Sequence, residues 1–139
     1  MTDVAYRYEL PIRYAEVDMQ QVVFNAHYLA YVDDAMSHWM RAVGFDYGVD
    51  GFDFMVRHAE VDWRGSATYG DVVAIDCAVA RWGNSSFDVH FDIKVAEATI
   101  VDIVLTYVGV EPGTTNTMTV PDRFREALSK AVAPPRSPT

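Results

Sequence analysis

The stretch Asp18-Met19-Gln20-Gln21-Val22-Val23-Phe24-Asn25-Ala26-His27-Tyr28 holds the residues of this chain best spaced to do chemistry together. Asp18 stands a few residues ahead of Asn25, where a helical pattern begins, and Asn is a favoured helix N-cap. The first N–H groups of a helix lack intrahelical acceptors and lie at the positive end of its dipole. A carboxylate beside them joins a base or nucleophile to donors for a developing oxyanion. His27, one turn in, can add an imidazole, although a packed or solvent-facing histidine fits equally well. Taken alone, a loop aspartate more often makes a local turn.

The elements that must position this stretch follow from periodicity. A helix over about Asn25 to Val43 would be roughly 28 Å long, with Asp33, Asp34, Ser37, His38 and Arg41 on one side and Gly44 as its stop. Its remaining surface, Tyr28, Leu29, Tyr31, Val32, Ala35, Met36, Trp39, Met40 and Val43, is wider than one solvated helix needs, and predicts a helix wrapped from several directions. Ahead of it, Val4, Tyr6, Tyr8, Leu10, Ile12 and Tyr14 alternate with polar residues as a strand, with Pro11 placing it at an edge. After a Gly- and Asp-rich connection from Gly44 to Asp53 come strands over Phe54–Trp63, Val72–Trp82, Phe87–Val95 and Ile100–Val110, with a bend at Gly65-Ser66 and a tight connection at Gly83-Asn84-Ser85. Pro121 opens a short helix through Ser129. One strand, one long helix and four mostly hairpin-connected strands make an α+β domain over 1–132, an antiparallel sheet curled around a central helix. The segment 133–139, rich in proline, reads as a disordered tail.

With 20 acidic and 11 basic residues the formal charge is -9, which disfavours nonspecific binding to nucleic acid or an anionic membrane surface. No apolar run reaches the length of a membrane span and Met1-Thr2-Asp3 opens no leader, so a cytoplasmic location is the default expectation. The single Cys77 falls in the apolar alternation Val73, Ile75, Cys77, Val79 and reads as a buried structural thiol. His27, His38, His58 and His90 lack metal-ligand spacing, so neither a metal nor another cofactor is expected. There is no Gly-x-Ser-x-Gly elbow and no phosphate loop, which argues against a serine hydrolase and a nucleotide triphosphatase.

Asp18, Val22-Val23, Phe24, His27-Tyr28, Tyr31 and Asp33, followed by Trp39, Arg41-Ala42-Val43-Gly44, the Tyr69-Gly70-Asp71 turn and Gly83-Asn84-Ser85-Ser86-Phe87, resemble the 4-hydroxybenzoyl-CoA thioesterase family of hot-dog fold proteins over about Tyr8 to Leu128. The resemblance implies an antiparallel sheet of about five strands around one helix, hydrolysis of an acyl-CoA to free acid and coenzyme A, and a homodimer or homotetramer. It makes Asp18 the catalytic carboxylate, acting on water or attacking to give a mixed anhydride, with backbone N–H at Asn25 polarising the carbonyl. Gln21, Phe24, His27 and Tyr28 then border the substrate. Arg57, Arg64, Arg81 and Ser86 are candidate contacts for coenzyme A, although surface arginines more often have no ligand. Another branch of hot-dog thioesterases carries its acid within the long helix, where Asp33 and Asp34 lie here; a solvated pair is the commoner outcome.

The chain departs from the family pattern where Gln21 replaces a usual glycine, His27 a common asparagine and Met36 a frequent arginine. If that glycine takes a left-handed backbone, Gln21 bears a steric cost or sends the loop elsewhere. Two alternatives follow: an enoyl-CoA hydratase or dehydratase on the same fold, and a noncatalytic acyl-thioester-binding or scaffolding oligomer.

Overall fold

The computed structural model describes residues 4–130; the tail expected over 133–139 lies outside the described residues. Five strands, β1 (Tyr6–Pro11), β2 (Asp53–Trp63), β3 (Val72–Trp82), β4 (Ser86–Val95) and β5 (Ala98–Val110), form one sheet in the order β1-β3-β4-β5-β2. Every neighbouring pair is antiparallel. Proline at the end of β1 is tolerated because β1 is an edge strand, as expected.

The sheet has one dry face. Phe87, Val89, Phe91 and Ile93 alternate along β4 and are fully buried. They stand opposite Tyr107, Leu105, Ile103 and Val101 of β5, while Ile75 and Cys77 of β3 oppose Ile93 and Phe91. Cys77 is buried as expected, and burial pushes its thiol pKa up. The long helix α1 (His27–Ala42) lies on this face, pressing Tyr28, Tyr31, Val32, Ala35, Met36, Trp39 and Met40 into the core.

The sequence predicted that α1 would be enclosed from several directions. Among the described residues one flank of α1 stays open: Leu29 is exposed, as are Ala30, Asp33, Asp34, Ser37 and Arg41. The seven buried side chains already fill the helix face over the sheet, and no second layer among the described residues covers Leu29.

The outer face of the sheet is polar but crossed by ion pairs. Asp76 of β3, only 4% exposed, takes a bidentate contact from Arg7 of β1 at 2.6 and 2.8 Å and a third from Lys94 of β4 at 3.0 Å. Asp76, Asp92 and Asp102 lie directly opposite one another across three strands. Lys94 and Thr99 satisfy Asp92; His90 and Arg64 satisfy Asp102. Without these donors a row of three carboxylates would repel across the strands.

Two short elements escaped the sequence reading: a 3-10 turn at Tyr14–Glu16, and α2 (Tyr47–Asp50) inside the connection assigned as loop. The Asp46 side chain caps α2 by accepting from Gly48 and Val49 N–H, and Gly51 ends it in a left-handed conformation. The C-terminal helix α3 (Asp122–Ser129) buries Phe124 and Leu128. Its Arg125 donates to the carbonyls of Gly83 and Asn84 and lies 5.4 Å over Trp82, pinning the β3–β4 turn.

Candidate active site

The Asp18 stretch is a tight hairpin. Asp18 N–H donates to Val22 O at 3.0 Å and Gln21 N–H to Asp18 O at 2.9 Å, with Val17 and Val23 bridged antiparallel. Phe24 N–H then reaches Glu16 O at 3.1 Å, so the chain entering α1 runs back beside the segment that carries Asp18. The half-buried Asp18 carboxylate accepts from Gln20 N–H through Oδ1 at 2.8 Å. Oδ2 has no hydrogen-bond donor among the described residues.

The start of α1 corrects the expected cap. Ala26, not Asn25, is the N-cap, already in a helical conformation and making no side-chain cap; Asn25 sits in the turn before it. The reason is local. His27 N–H donates to Phe24 O at 2.9 Å, winding the chain one turn earlier than a capping asparagine would allow. Among the described residues the N–H groups of Asn25 and Ala26 donate to no backbone carbonyl, so two open donors remain at the positive end of the helix.

Gln21 keeps the left-handed turn, with φ +63. For a non-glycine residue this conformation costs roughly 1–2 kcal/mol, and something must hold it. The loop between β2 and β3 supplies the hold. Thr68 Oγ1 donates to Gln21 O at 2.6 Å and Val23 N–H donates to Ala67 O at 2.9 Å. Ala67 N–H donates to Tyr28 Oη at 3.0 Å, and Asp71 accepts from Thr68 N–H at 2.9 Å. Thr68 and Ala67 drew no notice in the sequence, because their hold on the Asp18 loop depends on a contact some fifty residues away along the chain.

On the other side, Glu16 is 7% exposed and accepts from both the backbone and the guanidinium of Arg13 at 2.8 and 2.9 Å. Burial pushes its pKa up, but these donors outweigh burial and hold it below the usual carboxylate range. The Asp18 hairpin is thus fixed at both flanks.

The remaining site residues separate into two groups. Phe24 is half exposed and packs edge-on to the half-buried His27, with ring centroids 5.9 Å apart, beside the open donors. Tyr28, expected against substrate, is instead 1% exposed with its hydroxyl accepting from Ala67: a core residue that positions the site. Arg64 is committed on the outer sheet face to Asp62 and Asp102, both at 2.9 Å. Ser86 accepts from Arg81, which also pairs with Asp88. Those groups satisfy one another. Arg57 differs: it is exposed, forms no ion pair among the described residues, and is the extra residue of a bulge where the β2–β5 register shifts between Val56 and His58.

Of the helix acids, Asp34 accepts from Tyr8 Oη at 2.7 Å, and Tyr8 also stacks on His38 at 4.4 Å. Burial first, then that hydrogen bond, push the Tyr8 phenol up to about 12. Asp33 has no such partner, and desolvation raises its pKa. No group of three or more His, Cys, Asp or Glu side chains among the described residues is arranged to hold a metal ion.

A family model for the thioesterase superfamily matches residues 20–101, and the chain belongs to that superfamily. The matched span begins just after Asp18 and includes Gln21, α1 and β2 to β4. Over 129 residues the chain is 20% identical to a 1,4-dihydroxy-2-naphthoyl-CoA hydrolase of Nostoc punctiforme, covering 90% of this chain and 87% of that one. Among solved structures it resembles a 1,4-dihydroxy-2-naphthoyl-CoA thioesterase from Synechocystis, with TM-score 0.78, 19% identity and coverage of 88% and 94%. It also resembles a 4-hydroxybenzoyl-CoA thioesterase in complex with 4-hydroxybenzoyl-CoA, with TM-score 0.82, 14% identity and coverage of 89% and 98%. The five-stranded antiparallel sheet with α1 across its dry face is the hot-dog fold.

Proposed function

We propose that this protein hydrolyses an acyl-CoA thioester, with the Asp18 carboxylate as base or nucleophile and the N–H groups of Asn25 and Ala26 as oxyanion donors. The observation that carries this reading is the hairpin return. The bridge between Val17 and Val23 and the bond from Phe24 to Glu16 fold the segment that carries Asp18 antiparallel to the one that leads into the open N–H groups of Asn25 and Ala26. The residues between Asp18 and Asn25 are thus a folded hairpin, not an extended link.

The chemistry follows from that placement. Acting as a base, Asp18 takes a proton from water as its oxygen bonds to the carbonyl carbon; acting as a nucleophile, it forms a mixed anhydride that water then opens. In either case the carbonyl oxygen gains negative charge, which fixed N–H donors at a helix start stabilise without reorganising. On the base route the adduct then collapses with cleavage of the C–S bond; the coenzyme A thiolate leaves to be protonated and the free acid remains. On the nucleophile route the same cleavage expels the thiolate as the anhydride forms, and water then opens the anhydride to the free acid and the regenerated Asp18 carboxylate. Phe24 and His27 border the acyl group in this reading, which suits an aromatic acyl chain such as those in the names of the Nostoc and Synechocystis relatives. Arg57, exposed and without a carboxylate partner among the described residues, is free to meet a coenzyme A phosphate in this reading.

We further infer a homo-oligomer. Strand β2 is a long edge strand whose outer ladder is unpaired among the described residues, and Met55, Val56 and Trp63 are 47%, 49% and 50% exposed along it. A second copy pairing there satisfies the backbone and covers those side chains. No described helix is long and apolar enough to cross a membrane, and the proposed setting is the cytoplasm, where acyl-CoA is available.

The test is release of free thiol from a panel of aryl, alkyl and enoyl acyl-CoAs. Thiol release with an aryl preference supports the reading. Loss of enoyl absorbance without free thiol would instead assign a hydratase, and binding without turnover across the panel a noncatalytic oligomer.

A further inference from the structure

The left-handed Gln21 is the weak point of the Asp18 hairpin. A glycine at φ +63 holds that turn unaided, whereas an L side chain is driven out of it by contact between its Cβ and backbone. The hairpin nevertheless closes through Gln21, whose N–H reaches Asp18 O at 2.9 Å. The Gln21 carbonyl, the other polar end of the same residue, accepts a short 2.6 Å hydrogen bond from Thr68 Oγ1.

Thr68 comes from a segment that is itself braced. Its N–H donates to Asp71 Oδ2 at 2.9 Å, Asp71 O accepts from Ile12 N–H at 2.9 Å, and the preceding Ala67 is hydrogen-bonded to both Val23 and Tyr28. The hydroxyl is therefore presented by a fixed frame, and the bond to Gln21 restrains the loop more than the loop restrains Thr68.

We propose that Thr68 is a positioning residue for the Asp18 site. Its hydroxyl holds Gln21 in the left-handed turn and thereby fixes the direction of the Asp18 carboxylate. This rests on the reading of Asp18 as the reacting carboxylate. Thr68 does not touch substrate in this account; it substitutes for the conformational freedom of a glycine. The dependence is specific: the hydroxyl matters because residue 21 bears a side chain, and loses its importance when it does not.

That dependence supplies the test, with acyl-CoA turnover and backbone amide exchange measured on the full chain. Thr68→Val should lower kcat roughly ten- to a hundredfold, the scale of a small misplacement of a reacting group, with KM changed less than about twofold and the fold intact by circular dichroism. The Gln21 and Asp18 amides should exchange faster. Thr68→Ser should retain the activity. In a Gln21→Gly background, adding Thr68→Val should change kcat by less than about twofold and leave exchange of the loop amides slow. An equal loss of kcat from Thr68→Val in both backgrounds overturns the proposal, as does a Thr68→Val variant with unchanged kcat and unchanged exchange. If Asp18→Asn is inactive while Thr68→Val is fully active, only the role of Thr68 fails. If Asp18→Asn is fully active, the site reading fails instead, and with it the catalytic part of this proposal.

Discussion

The phenol of Tyr28, in the first turn of α1, accepts the N–H of Ala67 at 3.0 Å in an environment closed to water. One hydrogen bond thereby joins the start of the helix to the segment that steadies the Asp18 hairpin. Tyr28→Phe keeps the ring but leaves the Ala67 N–H without its acceptor. It should cost about 1–3 kcal/mol in urea unfolding, with a fall in kcat that exceeds any change in KM. Loss of stability below a few tenths of a kcal/mol would mean that the bond contributes little.

Gln21→Gly should stabilise the protein. Relief of the left-handed strain, roughly 1–2 kcal/mol, exceeds the roughly 0.5–1 kcal/mol of additional chain entropy that glycine brings to the unfolded state. A net gain of up to about 1.5 kcal/mol is expected from these two terms. Denaturant titration of the two proteins measures it.

The fold was more legible than the site. Strict alternation over Phe87 to Ile93 and the turn at Gly83 to Ser85 fix β3, β4 and the hairpin between them to within a residue of where they lie. The position of Asp18 ahead of α1 was equally legible. What supports it was not, since Thr68 meets Gln21 through a side-chain bond between segments far apart in sequence. The capping role given to Asn25 failed because asparagine preference is a local signal, while the turn from Phe24 to His27 is set by the returning hairpin. The helix apolar stripe reached too far at Leu29, which is apolar but uncovered among the described residues. A short connection between the strands ending at Val95 and beginning at Ile100 was legible, but the turn itself is Ala96-Glu97, with β5 already starting at Ala98. Both residues have positive φ without being glycine, and Glu97 is held there by Arg7 at 2.8 Å.

Asp76 makes stability depend on pH in the acid range. Burial raises its pKa, but hydrogen bonds from Arg7 and Lys94 outweigh burial and leave it lowered from the ordinary aspartate value. A lowered folded-state pKa means that the unfolded chain binds a proton first. Its contribution to stability is therefore full above the unfolded pKa of about 4, and is lost as pH falls through the still lower folded value. Asp76→Asn should cost about 1–3 kcal/mol at neutral pH, the scale of losing charge-assisted hydrogen bonds to two partly exposed cations, one of which keeps Glu97. It should also flatten the decline in stability below pH of about 4. Unfolding at several pH values measures both effects.

The edge of β2 gives an independent prediction. Val56→Lys places a charge at an exposed position of the unpaired edge and should shift sedimentation toward monomer while leaving the circular dichroism of the fold unchanged. An unaltered oligomer would move the interface elsewhere, with the exposed side of α1 as the next surface to test.

The central claim is that Asp18 carries the reaction. It is tested most directly by single-turnover release of coenzyme A from the best acyl-CoA of the panel, comparing wild type with Asp18→Asn. The amide can still accept the Gln20 N–H that Asp18 Oδ1 accepts, so the hairpin is retained while the charge is removed. The rate should fall by roughly 10²–10⁴, with substrate still bound. An Asp18→Asn protein that releases thiol at the wild-type rate would contradict it.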